Sequence, residues 1–242
     1  MTTLDYFFFS VFPYVAIVVF LVGTVYRYSE KGFKITSLSA QFLESKRGFW
    51  GTVPLHWGIL MLFLGHMVAF LFPAGVLAWN SDPVRLIAHE GVSFTFAVAV
   101  FIGLVGLILR RVLDPRIRAV TTRMDYFVEF VLLAQVLLGC WIALGYRWGS
   151  SWFAADLSPY LWSIIKLNPQ TAAVVAMPLV IKAHIVGAFS ILLIIPFTRL
   201  VHMLVAPFHY IWRPYQVVIW NLDRKRVRQA STEWSKARPR NN

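Results

Sequence analysis

Four histidines lie within long apolar stretches of this chain: His56 and His66 in one, His184 and His202 in another. An imidazole in such a setting can ligate a metal, relay a proton or hydrogen-bond a neighbouring helix. Four of them, two on each of two stretches, favour a shared task over four separate packing roles. Structural zinc fits poorly, because it draws four converging ligands, commonly including cysteine or a carboxylate. No carboxylate stands beside these histidines within their stretches, and the single cysteine, Cys140, lies in a different one. Two histidines facing each other across a b-type haem fit better. They close both axial positions of the iron, which suits electron transfer rather than oxygen binding.

The elements that would position these residues follow from hydropathy. Of 242 residues 58% are hydrophobic and 14% charged, too few charges for an ordinary soluble domain. About 20 apolar residues span a bilayer as a helix. Five runs reach that length: Tyr6 to Val25, about Thr52 to Val76, about Leu86 to Leu109, about Tyr126 to Tyr146, and about Thr171 to Phe208. The last is too long for one span, and its helix is expected to start near Pro178. The first carries Asp5 and no basic residue at its start, unlike a cleaved signal peptide, so it is expected to stay as a helix. The fold class is all-α integral membrane protein with five transmembrane helices. One domain is expected over residues 1–212, followed by a basic tail over 213–242.

Charge sets the orientation. Five basic residues (Arg27, Lys31, Lys34, Lys46, Arg47) separate runs one and two, and five more (Arg110, Arg111, Arg116, Arg118, Arg123) separate runs three and four. Eight follow the last run, from Arg213 to Arg240. The opposite loops hold few. Basic loops stay cytoplasmic, so the N-terminus is expected outside and the C-terminus inside. The net charge of +12 is thus distributed as topology requires, and anionic lipid or an acidic partner surface accounts for it better than nucleic acid does.

Depth then pairs the histidines. The second helix runs outward and the fifth inward, which matches His56 with His202 near the inner face and His66 with His184 near the outer face. Eighteen residues on the fifth helix make about five turns, so its two histidines are expected on one face. Ten residues on the second leave its two about 80° apart. The rises, about 15 Å and about 27 Å, differ, and Pro196 offers a place to bend. Gly58, Gly65 and Gly187 adjoin the ligands, where glycine admits a flat ring or a close helix. Arg199, three residues before His202, and Arg110 and Arg111 at the end of the third helix are candidate partners for haem propionates, or snorkelling residues that mark topology. His89, near Arg85 and Glu90 at the outer end of the third helix, could accept a hydrogen bond from a quinol or simply face lipid headgroups. His209 is expected at the membrane surface.

Several segments carry a resemblance. His56-Trp-Gly-Ile-Leu continuing to Gly65-His66, Pro196-Phe-Thr-Arg-Leu-Val-His202, the basic loop Asp114-Pro-Arg-Ile-Arg-Ala-Val-Thr-Thr, Arg213-Pro-Tyr-Gln-Val and Phe7-Phe-Phe-Ser-Val-Phe-Pro-Tyr together resemble the gamma (cytochrome b) subunit of respiratory nitrate reductase over roughly residues 1–220. The resemblance implies a five-helix subunit with two haems b. The inner haem would sit on His56 and His202 with Arg199 and Arg111 nearby, the outer on His66 and His184. It implies quinol as substrate beside Gly65 and His66, and an iron–sulfur subunit and a molybdenum catalytic subunit as partners at the cytoplasmic face. The family's lysine near the loop between the second and third helices has no counterpart here, since no lysine lies between Lys46 and Lys166. Arg85 and His89 are the residues that could take its place.

Two other readings stay open on the residues alone. One is a related di-haem anchor for another respiratory complex, of the sulfite-reduction or heterodisulfide type or one reducing another oxyanion. The other is a haem-free transporter or anchor whose histidines relay protons. Against a transporter stands the scarcity of membrane carboxylates, Glu129 being the one candidate.

Overall fold

The computed structural model describes residues 2–31 and 48–205. Lys34, Lys46, Arg47, His209 and the expected tail from Arg213 lie outside the described residues. Within them the chain is helical throughout, without strands, and five helices are long and apolar enough to cross a membrane. The protein is a multi-pass membrane protein.

The first span starts at Thr2, whose hydroxyl caps α1 (Thr3–Tyr6) in a reciprocal box with Asp5. It passes through a π-helical turn, Phe7–Val11, into α2 (Phe12–Lys31). The second span is α3 (Gly48–Leu71), shorter at its end than hydropathy suggested. Pro73 has no N–H to continue the ladder and instead opens the separate helix α4 (Pro73–Asn80). The third span, α5 (Pro83–Leu113), is longer than its apolar core. Asp82 caps it by accepting from the backbone N–H groups of Val84 and Arg85, and Arg110 and Arg111 remain in its last turn. A short α6 (Pro115–Ala119) follows. The fourth span, α7 (Arg123–Gly145), begins on a second reciprocal box, Thr122 with Asp125.

Short elements then cover one end of the bundle: α8 (Gly149–Trp152), a π-helical turn Phe153–Leu157, α9 (Ser158–Ile165) and α10 (Ala172–Ala176). They are fixed to α3 where Pro73 disrupts it. The carbonyl of Ala69 would have met the missing N–H of residue 73, and Ser158 Oγ donates to it instead at 2.8 Å. Trp162 Nε1 donates to the Phe70 carbonyl at 3.1 Å, with the two rings stacked. Tyr160, buried, donates to the Phe9 carbonyl at 2.9 Å. Phe9, Ile142, Leu157, Tyr160, Ile164 and Val174 form a core beneath this cover.

The last span, α11 (Leu179–Ile194), starts directly after Pro178, as the sequence predicted. It does not continue to His202. A 3-10 turn, Ile195–Phe197, an extended Thr198 and a second 3-10 turn, Arg199–Val205, follow it. The shared face expected from five uninterrupted turns between His184 and His202 is therefore corrected: Pro196 ends the helix rather than bending it.

Side-chain meetings give the directions. Gly51, Leu55 and Gly58 of α3 meet Leu107, Gly103 and Val100 of α5 in descending order, so these helices are antiparallel. Arg111 meets Glu129 across α5 and α7, and Asp125 meets Arg199 while Gln135 meets His184. Asp5 meets Lys182, and Gly23 meets Pro196. Hence α2, α5 and α11 run one way, and α3 and α7 the other. His56, His202, Arg111 and Asp125 share one end of the bundle, and His66, His184 and the short covering helices share the other.

Candidate functional site: two histidine pairs

At the first end, the rings of His56 and His202 face each other with centroids 6.3 Å apart and planes 56° apart. His56 comes from α3, two residues past Pro54; His202 comes from the 3-10 turn beyond the break after α11. Each ring is oriented by its own backbone. His56 Nδ1 lies 2.8 Å from the Thr52 carbonyl and His202 Nδ1 lies 2.6 Å from the Arg199 carbonyl. A carbonyl only accepts, so Nδ1 carries the proton in both rings and Nε2 carries the lone pair. That is the tautomer a metal-ligating imidazole takes, with its second nitrogen fixed by an outer partner. The spacing also suits one metal ion between the rings. Two metal–nitrogen bonds of about 2 Å, with each nitrogen about 1.1 Å from its ring centre, put the centroids roughly 6 Å apart.

At the second end, His66 Nδ1 lies 2.7 Å from the Leu62 carbonyl, so this ring too presents Nε2. The edge of the Phe153 ring, from the π-helical turn in the cover, packs against it at 5.3 Å. His184 and His66 are within electrostatic reach of each other. His184 is held differently from the other three: its Nδ1 is buried without a hydrogen-bond partner, and its ring lies against Gly139 of α7, where a Cβ would come within 3.2 Å of Cε1. Gln135, one turn along α7, donates to the His184 backbone carbonyl at 2.9 Å. Among the described residues no three or more His, Cys, Asp or Glu converge. What converges is pairs.

The residues expected around these pairs divide. Space is open at Gly65, where a Cβ would meet nothing within 4 Å. Of the two readings open for them, Gly58 and Gly187 take the close helix: each is filled by protein. A Cβ on Gly58 would strike Val100 and the Phe96 carbonyl of α5, and one on Gly187 would strike the Gln135 amide. Arg111 and Arg199 stand at the His56–His202 end, but both are already paired. Arg111 Nε donates to the Glu129 carboxylate and its NH1 lies 3.7 Å from Asp125 Oδ2; Arg199 Nε lies 3.1 Å from Asp125 Oδ1. Asp125 and Glu129 are both buried. Two cations and two carboxylates thus form a balanced cluster, as burial of charge requires.

Near the second end, Arg85 is half-exposed, 4.0 Å from Asp82 and stacked over Trp79 at 5.1 Å. His89 Nδ1 lies 3.2 Å from Asn80 Oδ1. Asn80 is buried and donates to the hydroxyls of Ser150 and Ser151 at 2.9 and 3.0 Å, which fixes its oxygen toward His89. Glu90 accepts from the backbone N–H and hydroxyl of Ser150. The sequence reading missed Asn80, Gln135 and Asp125. Only Asp125 left a signal, as the fourth residue of Thr122-x-x-Asp125, and that signal reads as a helix cap.

Five spans with two pairs of histidines at opposite ends of the bundle define a polytopic membrane protein. Comparison with known proteins identifies which. The family model for the nitrate reductase gamma subunit matches residues 5–221, and the chain belongs to that family. The nitrate reductase gamma chain of Bacillus subtilis (strain 168) is 32% identical over 212 residues, covering 86% of this chain and 95% of that protein. The respiratory nitrate reductase 2 and 1 gamma chains of Escherichia coli (strain K12) are 32% and 30% identical over 223 residues each, covering 89% and 90% of this chain and 96% and 98% of those proteins.

Proposed function

We propose that this chain is the membrane subunit of a respiratory nitrate reductase, oxidising quinol near the outer face and passing electrons inward to a cytoplasmic iron–sulfur subunit and a molybdenum subunit that reduces nitrate. Family membership supports a nitrate reductase membrane subunit that works with the other subunits of that oxidoreductase. The finer reading rests on one observation: two imidazoles, one from the second span and one from the turn after the last, lie with ring centroids 6.3 Å apart, each with Nδ1 held by a backbone carbonyl.

In this reading His56 and His202 ligate the inner haem b, and His66 and His184 the outer. Haem bound this way supplies a one-electron carrier with no open iron position. The carbonyls of Thr52, Leu62 and Arg199 keep Nε2 of three rings unprotonated and aimed. Gly65 leaves room for a flat ring beside His66, and His89, with Nδ1–H donated to Asn80, offers Nε2 to a quinol hydroxyl. Arg85 lies four residues before it and can hold the second ring oxygen. Protons leave on the outer side while electrons cross inward. Each charge carried across is worth about 2.3 kcal/mol per 100 mV of potential, so the subunit stores redox energy as membrane potential. The basic loops place the N-terminus outside in this scheme.

The test is a reduced-minus-oxidised optical spectrum and haem assay on the solubilised complex, wild type beside His56→Ala and His66→Ala. The expected result is about two haems b per chain, with each variant losing a different one. A wild-type complex without haem, or a single haem lost equally in both variants, would return the histidines to proton relay or packing.

A further inference from the structure

We propose that the interruption of the last span is a device that aims His202, and that Arg27 and Asp125 are the positioning residues that hold it. Pro196 cannot donate a backbone N–H, and α11 ends at Ile194. The chain turns through an extended Thr198, φ −119° and ψ 176°, and resumes as the 3-10 turn that carries His202. A 3-10 run of that length is unusual and poorly bonded by itself. Where the segment is buried, as at Thr198 and Val201, its stray carbonyls need partners from elsewhere in the protein.

Two neighbouring spans supply them. From α2, Arg27 NH1 donates to the carbonyls of Pro196 at 2.6 Å and Thr198 at 3.0 Å. Gly23, one turn earlier, lets α2 lie directly on the proline, since a Cβ there would come within 2.9 Å of the Pro196 Cβ. From α7, Asp125 Oδ1 lies 3.1 Å from Arg199 Nε. Its Oδ2 accepts from the N–H and hydroxyl of Thr122 at 2.8 and 2.9 Å, so the carboxylate cannot swing. Arg199 also donates to the Val120 carbonyl at 3.3 Å. The Arg199 carbonyl then orients His202 through Nδ1 at 2.6 Å. At the centre of the break Thr198 is buried, its hydroxyl donating to the Ile195 carbonyl and accepting from Leu200 N. The line of force therefore runs from α2 and α7, through the backbone of 196–199, to one imidazole. Neither Arg27 nor Asp125 touches that ring.

Charged groups at a membrane persist where they face a partner, and here each pins the segment 196–199, where the α-helical ladder has ended. The basic residue at the end of α2 therefore does more than mark topology. The consequence for haem rests on the reading of His56 and His202 as iron ligands; the consequence for the position of residue 202 does not.

Both are tested with Asp125→Asn and Arg27→Gln, beside the conservative Asp125→Glu and Arg27→Lys. In the assembled complex, the electron paramagnetic resonance signal and midpoint potential of the haem lost in His56→Ala should shift or vanish in the first two variants. The haem lost in His66→Ala should be unchanged, with partial recovery in the conservative variants. Separately, in a Cys140→Ala background, cysteines placed by His56→Cys and His202→Cys should be joined by a short bis-maleimide in isolated membranes, and the yield should fall several-fold with Asp125→Asn or Arg27→Gln. Wild-type signals from both haems, or an unchanged cross-link yield, would overturn the proposal. So would equal loss of both haems together with loss of the chain from the membrane, which marks a general folding role. A wild-type complex lacking haem would refute the haem reading, and the cross-link yield would still decide the clamp.

Discussion

Gly103→Ala should destabilise the bundle, and Gly91→Ala, on the same helix, should not. A Cβ on Gly103 would lie 2.7 Å from Leu55 N, 2.8 Å from the Gly51 carbonyl and 2.9 Å from Leu55 Cβ. All three atoms belong to the backbone of α3 or are fixed to it, so no side-chain rotation relieves the clash. Restoring ordinary contact would separate α3 from α5 by roughly 0.6 Å, an overpacking that costs about 1–3 kcal/mol. At Gly91 an added Cβ meets nothing within 4 Å, and alanine gains up to about 1 kcal/mol of helix propensity over glycine. The same gain applies at Gly103, so the difference between the two variants isolates the packing term. At about 1.4 kcal/mol per tenfold, it amounts to between about fivefold and about 140-fold in the unfolding equilibrium. Denaturant titration of the detergent-solubilised chain, followed by far-ultraviolet dichroism and gel filtration, would measure it. Because Leu55 adjoins His56, the displaced α3 should also disturb the His56–His202 spacing before it disturbs His184. Equal stability of the two variants would refute the claim that the α3–α5 contact is set by glycine-to-backbone packing.

Two further perturbations test the cover. Ser158→Ala leaves the Ala69 carbonyl, already deprived of its helical partner by Pro73, without the 2.8 Å bond it now has; the expected loss is about 1–3 kcal/mol in the same titration, with Ser151→Ala, on a half-buried hydroxyl, as the milder comparison. Burial first, and the neighbouring Tyr14 second, push the Tyr160 hydroxyl above the ordinary phenol range. A folded-state value raised above the unfolded one means that its contribution is complete below about pH 10 and is lost as pH rises through the folded value. The stability gap between wild type and Tyr160→Phe should therefore be constant up to about pH 9 and narrow at higher pH; a gap independent of pH would show that the phenol stays solvated.

The number and order of the spans were legible because hydropathy alone requires them, and the pairing of His56 with His202 was legible because an antiparallel arrangement matches depths. Helix ends were not, because single residues rather than mean hydropathy decide them. Pro73 shortens the second span, Asp82 and Pro83 lengthen the third, and Thr122 starts the fourth earlier than its hydropathy does. The glycines show the limit most clearly. Gly58 and Gly65 stand one heptad apart on α3, yet the first packs against α5 and the second faces open space. Nothing in the spacing distinguishes them, since what differs is the partner helix. Asp125 was hidden for another reason. Its capping role is local and visible in the sequence, whereas its bond to Arg199, 74 positions later, exists only once α7 and α11 are antiparallel.

The two ends of the bundle solve the problem of aiming imidazoles by different chemistry. At the His56–His202 end the last span is interrupted, and charged side chains from α2, α5 and α7 hold the fragments. At the His66–His184 end the last span is an intact helix whose start is anchored by the Lys182–Asp5 ion pair, and neutral groups do the rest of the fixing: Gln135 on the His184 carbonyl, Ser158 and Trp162 on the frayed end of α3, Asn80 on His89. The His184 ring rests on Gly139 with Nδ1 unpartnered, whereas His56 and His66, on the unbroken α3, each reach the carbonyl four residues back. His202 reaches the Arg199 carbonyl instead, three residues back in the 3-10 turn. The break at Pro196 trades helical hydrogen bonds for the turn that carries His202. That exchange is sustainable only where other spans bring donors into the bilayer to receive the exposed carbonyls, and Arg27 is such a donor.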